Sequence, residues 1–224
     1  MIKTATPRLE HSATTVRKRA SITRPLWAFS HVPAAHLVAS HADICGSALF
    51  PVRTDCDANF VGGVWCWEHD TVEANRFAMQ VAPHQCVAPP GRYIAQCDRA
   101  GAARNSYVID PKALCPGADC LIDSRKAFRH VQTFVAEGDP PTLASIENRL
   151  EQGGRVFTFN ATSDRAYLSR MSEALRTGLV LTFQVWGGPR HMMSWLDGMT
   201  ECTGECPASA HAVFSHVTIA SAIA

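Results

Sequence analysis

Residues 65–86 read WCWEHDTVEANRFAMQVAPHQC and are the most informative stretch of the chain. Three carboxylates, Glu68, Asp70 and Glu73, stand within six residues here, among large apolar side chains. On a β-strand the side chains alternate between faces, so Glu68 and Asp70 point the same way, about 7 Å apart. Strict alternation sends Glu73 to the other face. A β-bulge between Asp70 and Glu73, which adds one residue, would bring all three carboxylates together.

Such a group of carboxylates suits glycoside hydrolysis with retention of configuration. One carboxylate attacks the anomeric carbon, while another is kept protonated and gives its proton to the leaving oxygen. A third carboxyl can share a proton with the nucleophile and separate the pKa values of the group. The bare pattern E-x-D-x-x-E also fits an acidic, solvated strand edge, so the flanking sequence has to distinguish the two readings.

The flanking sequence resembles the family seven glycoside hydrolases, which are secreted fungal-type cellobiohydrolases and endoglucanases. The family motifs are E-x-D-x-W-E-A-N, P-H-x-C, C-D-P-D-G-C-D-x-N-P-Y, L-V-M-S-L-W with a following W-L-D, and A-x-V-x-F-S-N-I. In chain order the matching segments are EHDTVEAN at 68–75, PHQC at 83–86, CDRAGAARNSY at 97–107, LTFQVW at 181–186 with WLD at 195–197, and AHAVFSHV at 210–217.

The resemblance implies hydrolysis of β-1,4-glucosidic bonds in cellulose or related β-glucans, through a glycosyl-enzyme intermediate. By the same resemblance Glu68 is the nucleophile, Asp70 its hydrogen-bonding helper and Glu73 the general acid/base. The pKa of Glu73 must then be raised, so that it stays protonated for the first step. Both chemical steps use only carboxyls and water, so we expect no metal and no organic cofactor.

The resemblance also implies three substrate-binding residues. It places His84 beside the acid/base carboxylate and the leaving-group sugar, and Trp186 and Trp195 against glucose faces. Judged by residue type and spacing alone, the tryptophans fit core residues or packing anchors better, and a lone histidine is normally a surface or satisfied core group. His69 lies between two acids that point inward, so it should face the opposite side of the sheet, and we assign it no role.

The strand pattern, supported by the resemblance, predicts an all-β, concanavalin-like jelly-roll β-sandwich of antiparallel sheets. We expect long disulfide-tied loops, chiefly over 87–127, and one or two short helices. Strands are predicted at 128–136, 155–161 and 179–186 from β-branched and aromatic content. Helices are predicted at 164–176 and after Thr142, the latter with Leu143, Ile146 and Leu150 on one face and Gly153-Gly154 at its end.

One globular domain is expected over 26–224, shortened at its N-terminal side relative to the family, with 1–25 disordered and without an assigned function. The nine cysteines indicate an oxidising, extracellular compartment and leave one thiol over. The resemblance implies the disulfides Cys45–Cys202, Cys56–Cys66 and Cys86–Cys97. Of the three cysteines that remain, we expect Cys115 to pair with Cys120, which leaves Cys206 free. Trp65 and Phe60 stand where the family has cysteines.

Composition excludes several other classes of partner. The net charge is +1, with 21 basic and 20 acidic residues, so no field favours nucleic acid or an anionic membrane. The sequence contains no apolar run long enough for a transmembrane helix. A zinc site is the weaker reading of the cysteines, since no pair of Cys-x-x-Cys motifs is present. We expect a monomer whose partner is a polysaccharide substrate.

Three alternatives stay open at this stage. The chain could be a carbohydrate-binding sandwich without catalytic activity, or a gene fragment with exposed sheet edges. A β-1,3-glucanase of the family sixteen type also carries E-x-D-x-x-E on the same architecture. The sequence leaves endo and exo action undecided.

Overall fold

The computed structural model describes residues 2–3, 20–21, 56–60, 63–87, 96–181 and 194–198. The strands in these ranges are β1 Ile2–Lys3, β2 Ala20–Ser21, β3 Glu68–Ala74, β4 Met79–His84, β5 Arg104–Asn105, β6 Leu114–Cys115, β7 Ile122–Asp123, β8 Arg129–Glu137, β9 Thr142–Gln152, β10 Arg155–Asn160 and β11 Val180–Leu181. The helices are α1 Ser106–Ile109, α2 Arg165–Thr177 and α3 Ser194–Asp197.

Most of the strands form two antiparallel sheets. One sheet has the order β2-β11-β1-β3-β4-β5, and its strand β3, which pairs with β1 and β4, contains the motif carboxylates. The other sheet has the order β10-β9-β8. A short parallel pair, β6 and β7, lies in the loop region that the sequence predicts over 87–127. The predominance of antiparallel strands agrees with the predicted all-β class.

The apolar core connects β3 and β4 with β8, β9 and α2. His69 of β3 meets Phe134 of β8 edge-on, with 5.3 Å between ring centroids. Helix α2 packs on β9 and β4 and buries one face. The fully buried large side chains of this core include Met79, Leu114, Ile122, Leu143, Ile146, Leu150, Leu168 and Met171. Burial on this scale, at about 25 cal/mol per Å² of apolar surface, is the main driving force of the fold.

Helix α2 has the limits that its sequence signals predict. Asp164 caps the N-terminus, where its side chain accepts a hydrogen bond from Tyr167 N at 2.9 Å. Gly178 ends the helix at φ +96°, a conformation that favours glycine. The predicted apolar stripe of Leu168, Met171 and Leu175 is buried, so the prediction of a helix at 164–176 is confirmed.

The helix predicted after Thr142 is wrong, because residues 142–152 form β9. In β9 Ile146, Asn148 and Leu150 are buried alternately, as in a strand. The pairing with β8 shifts between Ser145 and Leu143, so Ala144 is an extra residue and Leu143 is buried as well. Because of the bulge, the buried apolar residues Leu143, Ile146 and Leu150 are spaced by three and four residues, as in a helix. The alternation is not visible as an apolar pattern, since the buried residue between Ile146 and Leu150 is the polar Asn148.

Three disulfides tie the described loops together: Cys56–Cys66, Cys86–Cys97 and Cys115–Cys120. Phe60 and Trp65, which stand where the family has cysteines, stack with their ring centroids 5.0 Å apart. The Arg99 guanidinium lies 5.1 Å from the Trp65 ring. Aromatic stacking and a cation–π contact therefore join this loop to its neighbours in addition to the Cys56–Cys66 bond.

Several predictions fall outside the described ranges. These are the Cys45–Cys202 disulfide, free Cys206, Trp186 and most of the predicted strand 179–186. The expectations for 1–25 and for a single domain over 26–224 also stay predictions, although the short strands β1 and β2 lie within 1–25. In the part of the chain that the structure describes, no helix is long and apolar enough to span a bilayer.

Candidate active site

The predicted β-bulge is present in β3. Asp70 pairs with Ala82 and Glu73 with Gln80, so Thr71 and Val72 together oppose Val81 alone. The extra residue returns Glu73 to the side of Glu68 and Asp70. The charges of Asp70 and Glu68 both act on Glu73 and contribute to raising its pKa, as expected for carboxylates that face one another. The three acids therefore form one group.

Glu68 is almost completely buried, with 1% of its surface exposed. Its Oε2 atom accepts a hydrogen bond from the backbone N of Ala58 at 2.8 Å. The loop that supplies this N–H is joined to the start of β3 by the Cys56–Cys66 disulfide and by a backbone bond from Cys66 N to Asp57 O at 3.1 Å. A buried carboxylate needs such a donor, and the donor fixes the orientation of the carboxylate.

Asp70 and His84 form a buried pair between β3 and β4. His84 Nε2 lies 2.9 Å from Asp70 Oδ2, and His84 Nδ1 lies 2.8 Å from the backbone oxygen of Asp98. Burial alone would lower the pKa of His84, but the hydrogen bond to Asp70, the charges of Asp70 and Glu68 and the Asp98 carbonyl raise it to about 9. Burial likewise works against ionised Asp70, yet the bond and charge of His84 lower its pKa. The pair is therefore an imidazolium–carboxylate pair at neutral pH.

The segment after β4 contacts the His84 ring and restricts its position. Gly101 has φ +65°, and a Cβ built on it would lie 2.8 Å from His84 Cε1 and 2.8 Å from Pro83 O. The Tyr167 hydroxyl of α2 lies 3.0 Å from Pro83 O and 2.9 Å from Asp98 Oδ2, and it accepts a bond from Gln85 N at 3.0 Å. Helix α2 and the 98–101 turn thus fix the imidazole against Asp70.

Glu73 has the electrostatics of a proton donor. Burial, followed by the charge of Asp70, raises its pKa to about 8, against the opposing effect of the His84 charge. Its Oε2 atom accepts a hydrogen bond from Gln80 Nε2 at 3.3 Å, which favours the ionised form to a lesser extent. At neutral pH the Glu73 carboxyl is therefore protonated while Asp70 is ionised.

Trp195 lies on α3, which packs beside the Glu73 end of the site. The Asn105 Nδ2 atom donates to the backbone oxygens of Trp195 at 3.2 Å and Leu196 at 2.8 Å. Asn75, two residues after Glu73, donates to Asp197 Oδ2 at 3.0 Å. The Trp195 side chain is 36% exposed, so its indole is accessible from solvent.

His69 faces the other sheet, as its alternating position predicts. Its Nε2 atom lies 2.9 Å from Gln132 Oε1, and Gln132 in turn donates to Asn148 at 2.9 Å. Burial lowers the pKa of His69 to about 4, so the ring is neutral at physiological pH. We assign His69 to the polar contact between the sheets.

The structure brings Glu68, Asp70, Glu73 and His84 together, places Trp195 on a helix tied to the neighbouring strand, and does not describe Trp186. Sequence reasoning missed four polar residues that support these groups: Gln80, Asp98, Asn105 and Tyr167. Gln80 was detectable, because positions 80, 82 and 84 alternate onto the face of the paired acids. Tyr167 is distant in sequence and gives no such signal. Among the described residues no cluster of histidine, cysteine and carboxylate side chains could hold a metal ion.

Comparison with known proteins supports the motif resemblance. Endoglucanase EG-1 of Hypocrea jecorina is 29% identical over 148 residues, which cover 60% of this chain and 31% of the relative. The probable endo-beta-1,4-glucanase celB of Aspergillus fumigatus is 31% identical over 173 residues, covering 67% of this chain and 42% of the relative. No family model matches the chain.

A solved structure has the same fold. The GH7 family cellobiohydrolase from Daphnia pulex superposes with a TM-score of 0.53 at 20% identity, over 59% of this chain and 40% of that chain. The prediction of a jelly-roll β-sandwich is thereby confirmed. The chain is thus similar to endoglucanases in sequence and to a GH7 family enzyme in fold, in agreement with the motif resemblance to glycoside hydrolase family seven. It spans less than half the length of these curated relatives.

Proposed function

We propose that the chain hydrolyses β-1,4-glucosidic bonds of cellulose or a related β-glucan, with retention and through a glycosyl-enzyme intermediate. The observation that carries this proposal is the bulge in β3, which puts a carboxyl with a pKa of about 8 beside two further carboxylates. The names of the relatives, an endoglucanase and a probable endo-beta-1,4-glucanase, support the choice of substrate. We also propose endo action on this basis.

In this mechanism Glu68 is the nucleophile and attacks the anomeric carbon. The N–H of Ala58 orients the Glu68 carboxylate. Asp70 is the proposed hydrogen-bonding helper of Glu68. Asp70 Oδ2 is occupied by His84, whereas Asp70 Oδ1 is buried with no hydrogen-bond partner among the described residues. That oxygen is suited to a proton shared with Glu68 as the nucleophile changes charge.

Glu73 is the general acid/base. Its protonated carboxyl donates to the leaving glycosidic oxygen, and the resulting carboxylate then removes a proton from the water that hydrolyses the intermediate. When Glu68 becomes an ester, its negative charge is lost and the pKa of Glu73 falls, because that charge is one of the causes of the shift. The same residue is thereby an acid in the first step and a base in the second.

For the sugar we propose contacts with Trp195 and, by the family resemblance, Trp186. The exposed indole of Trp195 suits stacking on a glucose face. Both ring nitrogens of His84 are already bonded, to Asp70 and to Asp98. We therefore propose that His84 acts through Asp70 and that the substrate contact expected from the sequence is secondary.

The three disulfides and the relatives support a secreted protein. A polysaccharide is its proposed partner, and a monomeric state stays a prediction. No cofactor enters the proposed chemistry, because carboxyls and water complete both steps.

The test is hydrolysis of a soluble chromogenic β-cellobioside by the purified, oxidised protein, with the anomer of the product followed by NMR. We expect release by the parent and by Glu147→Gln, a matched change of an exposed glutamate, and none by folded Glu68→Gln. Release by Glu68→Gln at the parent's rate contradicts the assigned nucleophile. Binding of glucan by a folded parent without any product contradicts the proposed reaction and supports a carbohydrate-binding sandwich.

A further inference from the structure

We propose that Gln80, held by Asn105, is a positioning residue for Glu73 that assigns the transferable proton to Glu73 Oε1. The catalytic part of this inference depends on the proposed function. The placement of the amide and its effect on Glu73 do not.

The contact has a defined geometry. Gln80 lies opposite Glu73 in the β3–β4 pairing, immediately beside the bulge that Val81 opposes. Its Nε2 atom donates to Glu73 Oε2 at 3.3 Å. In a neutral carboxyl the carbonyl oxygen accepts an N–H bond better than the hydroxyl oxygen does, so Glu73 Oε2 is the carbonyl oxygen. The proton of the neutral carboxyl therefore belongs on Oε1, which Gln80 leaves free.

The orientation of the Gln80 amide follows from a series of hydrogen bonds that begins at backbone N–H groups of α1. Asn105 Oδ1 accepts bonds from Tyr107 N at 2.8 Å and Val108 N at 3.4 Å, because it caps α1. The Asn105 Nδ2 atom must then point the other way, toward the carbonyls of Trp195 and Leu196 and toward Gln80 Oε1 at 3.4 Å. A reversed Asn105 would put its oxygen against two carbonyl oxygens.

With Oε1 of Gln80 occupied as an acceptor, only Nε2 remains to meet Glu73. Backbone N–H groups, which can only donate, thus set the direction of this series of hydrogen bonds. The series runs from α1 through Asn105 and Gln80 to Glu73. Because the same Asn105 amide holds the segment of Trp195, one side chain connects the proposed sugar-stacking residue with the proposed acid.

The effect on titration has a definite sign. The charged groups that act on Glu73 are Glu68 and Asp70 from β3 and His84 from β4, and Asp197 of α3 bonds the nearby Asn75. Gln80 is the uncharged donor among them, and its bond lowers the pKa of Glu73 against the larger upward effect of burial. Removing the bond should therefore raise the pKa of Glu73, by about half a unit to one unit for a typical hydrogen bond.

The experiment compares the parent with Gln80→Met, which keeps the length of the side chain and removes the amide. The matched control is Gln85→Met, since the Gln85 amide contacts Arg170 at the surface. The first readout is the titration of the Glu73 carboxyl carbon by ¹³C NMR, with the resonance assigned by its loss in Glu73→Gln. The second is hydrolysis of cellobiosides with poor and with highly activated leaving groups.

We expect an upward shift of the Glu73 titration in Gln80→Met alone. We also expect hydrolysis to fall about 3- to 10-fold for the poor leaving group, which needs the acid, and to be nearly unchanged for the activated one. An unshifted titration in folded Gln80→Met overturns the inference. If the parent hydrolyses nothing, the proposed function fails, and the titration still decides whether Gln80 positions Glu73.

Discussion

His84 Nε2 lies 2.9 Å from Asp70 Oδ2, and both side chains are buried beside the proposed nucleophile. The pKa of His84 is raised to about 9 in the folded protein, above its ordinary value of 6.5. The raised pKa of His84 therefore contributes stability that is fully present below about pH 6.5 while Asp70 is ionised, and this contribution is lost as the pH rises through 9. Asp70, whose pKa is lowered, contributes above its ordinary pKa, and its contribution is lost on acidification.

For His84→Gln we predict a loss of about 2–4 kcal/mol in the free energy of unfolding at pH 6. The loss should shrink toward pH 9.5, where the parent also loses its imidazolium. Urea unfolding across pH 5–9.5 measures this difference. Arg129→Gln, which removes an exposed partner of Glu151, serves as the control and should stay within about 0.5 kcal/mol of the parent. A loss for His84→Gln that is independent of pH would contradict the ion pair.

Glu73, the proposed acid/base, is expected to lower the stability of the folded protein at high pH. Its pKa is about 8 in the folded protein and 4.5 as an ordinary carboxyl, so the free energy of unfolding falls as the pH rises from about 4.5 to 8. Glu73→Gln should be more stable than the parent by about 1–3 kcal/mol at pH 8.5 and nearly equal to it at pH 4.5. Thermal unfolding at the two pH values measures the effect.

The same Glu73→Gln variant should lose about 10²- to 10⁴-fold of its rate on a substrate with a poor leaving group. Equal stability of parent and variant at pH 8.5 would show that the Glu73 carboxyl is not buried in its charged form. Glu147→Gln, at an exposed position of β9, should change neither quantity.

Gly101 is predicted to be intolerant of a side chain for two separate reasons. Its φ of +65° is unfavourable for other residues, and a Cβ would lie 2.8 Å from the His84 ring and from Pro83 O. Gly101→Ala should lower the free energy of unfolding by about 2–4 kcal/mol. Gly63→Ala isolates the first reason, because Gly63 has φ +73° with nothing within 4 Å, and about 1 kcal/mol is expected. Equal losses in the two variants would show that His84 is free to move.

The carboxylate group could be predicted from the sequence because its pattern is local. The spacing of Glu68, Asp70 and Glu73 requires one extra residue if all three are to share a face, and the pairing of β3 with β4 contains it. The β8, β10 and α2 elements were likewise predicted from composition and periodicity, within one or two residues of their ends.

What sequence reasoning missed depends on contacts between distant residues. The bulge at Ala144 makes the apolar spacing of β9 resemble that of a helix, and only its pairing with β8 distinguishes the two. Tyr167 and Asn105 act through hydrogen bonds to segments more than sixty residues away. No sequence motif predicts the stacking of Phe60 on Trp65, although both residues stand where the family has cysteines.

The bulge in β3 also has a consequence for how such a cleft can change over generations. Strand alternation has only two phases, so one codon inserted beside Val81 in β4 would give Thr71 and Val72 a partner each and remove the bulge. Glu73 would then turn to the other face of the sheet, while Glu68 and Asp70 stay in place. If the proposed function is right, such a variant would still bind glucan and would no longer hydrolyse it. Retention of the variant on insoluble cellulose without release of soluble sugar would reveal this change. One added codon would thus separate a hydrolase of the proposed kind from a protein that only binds glucan.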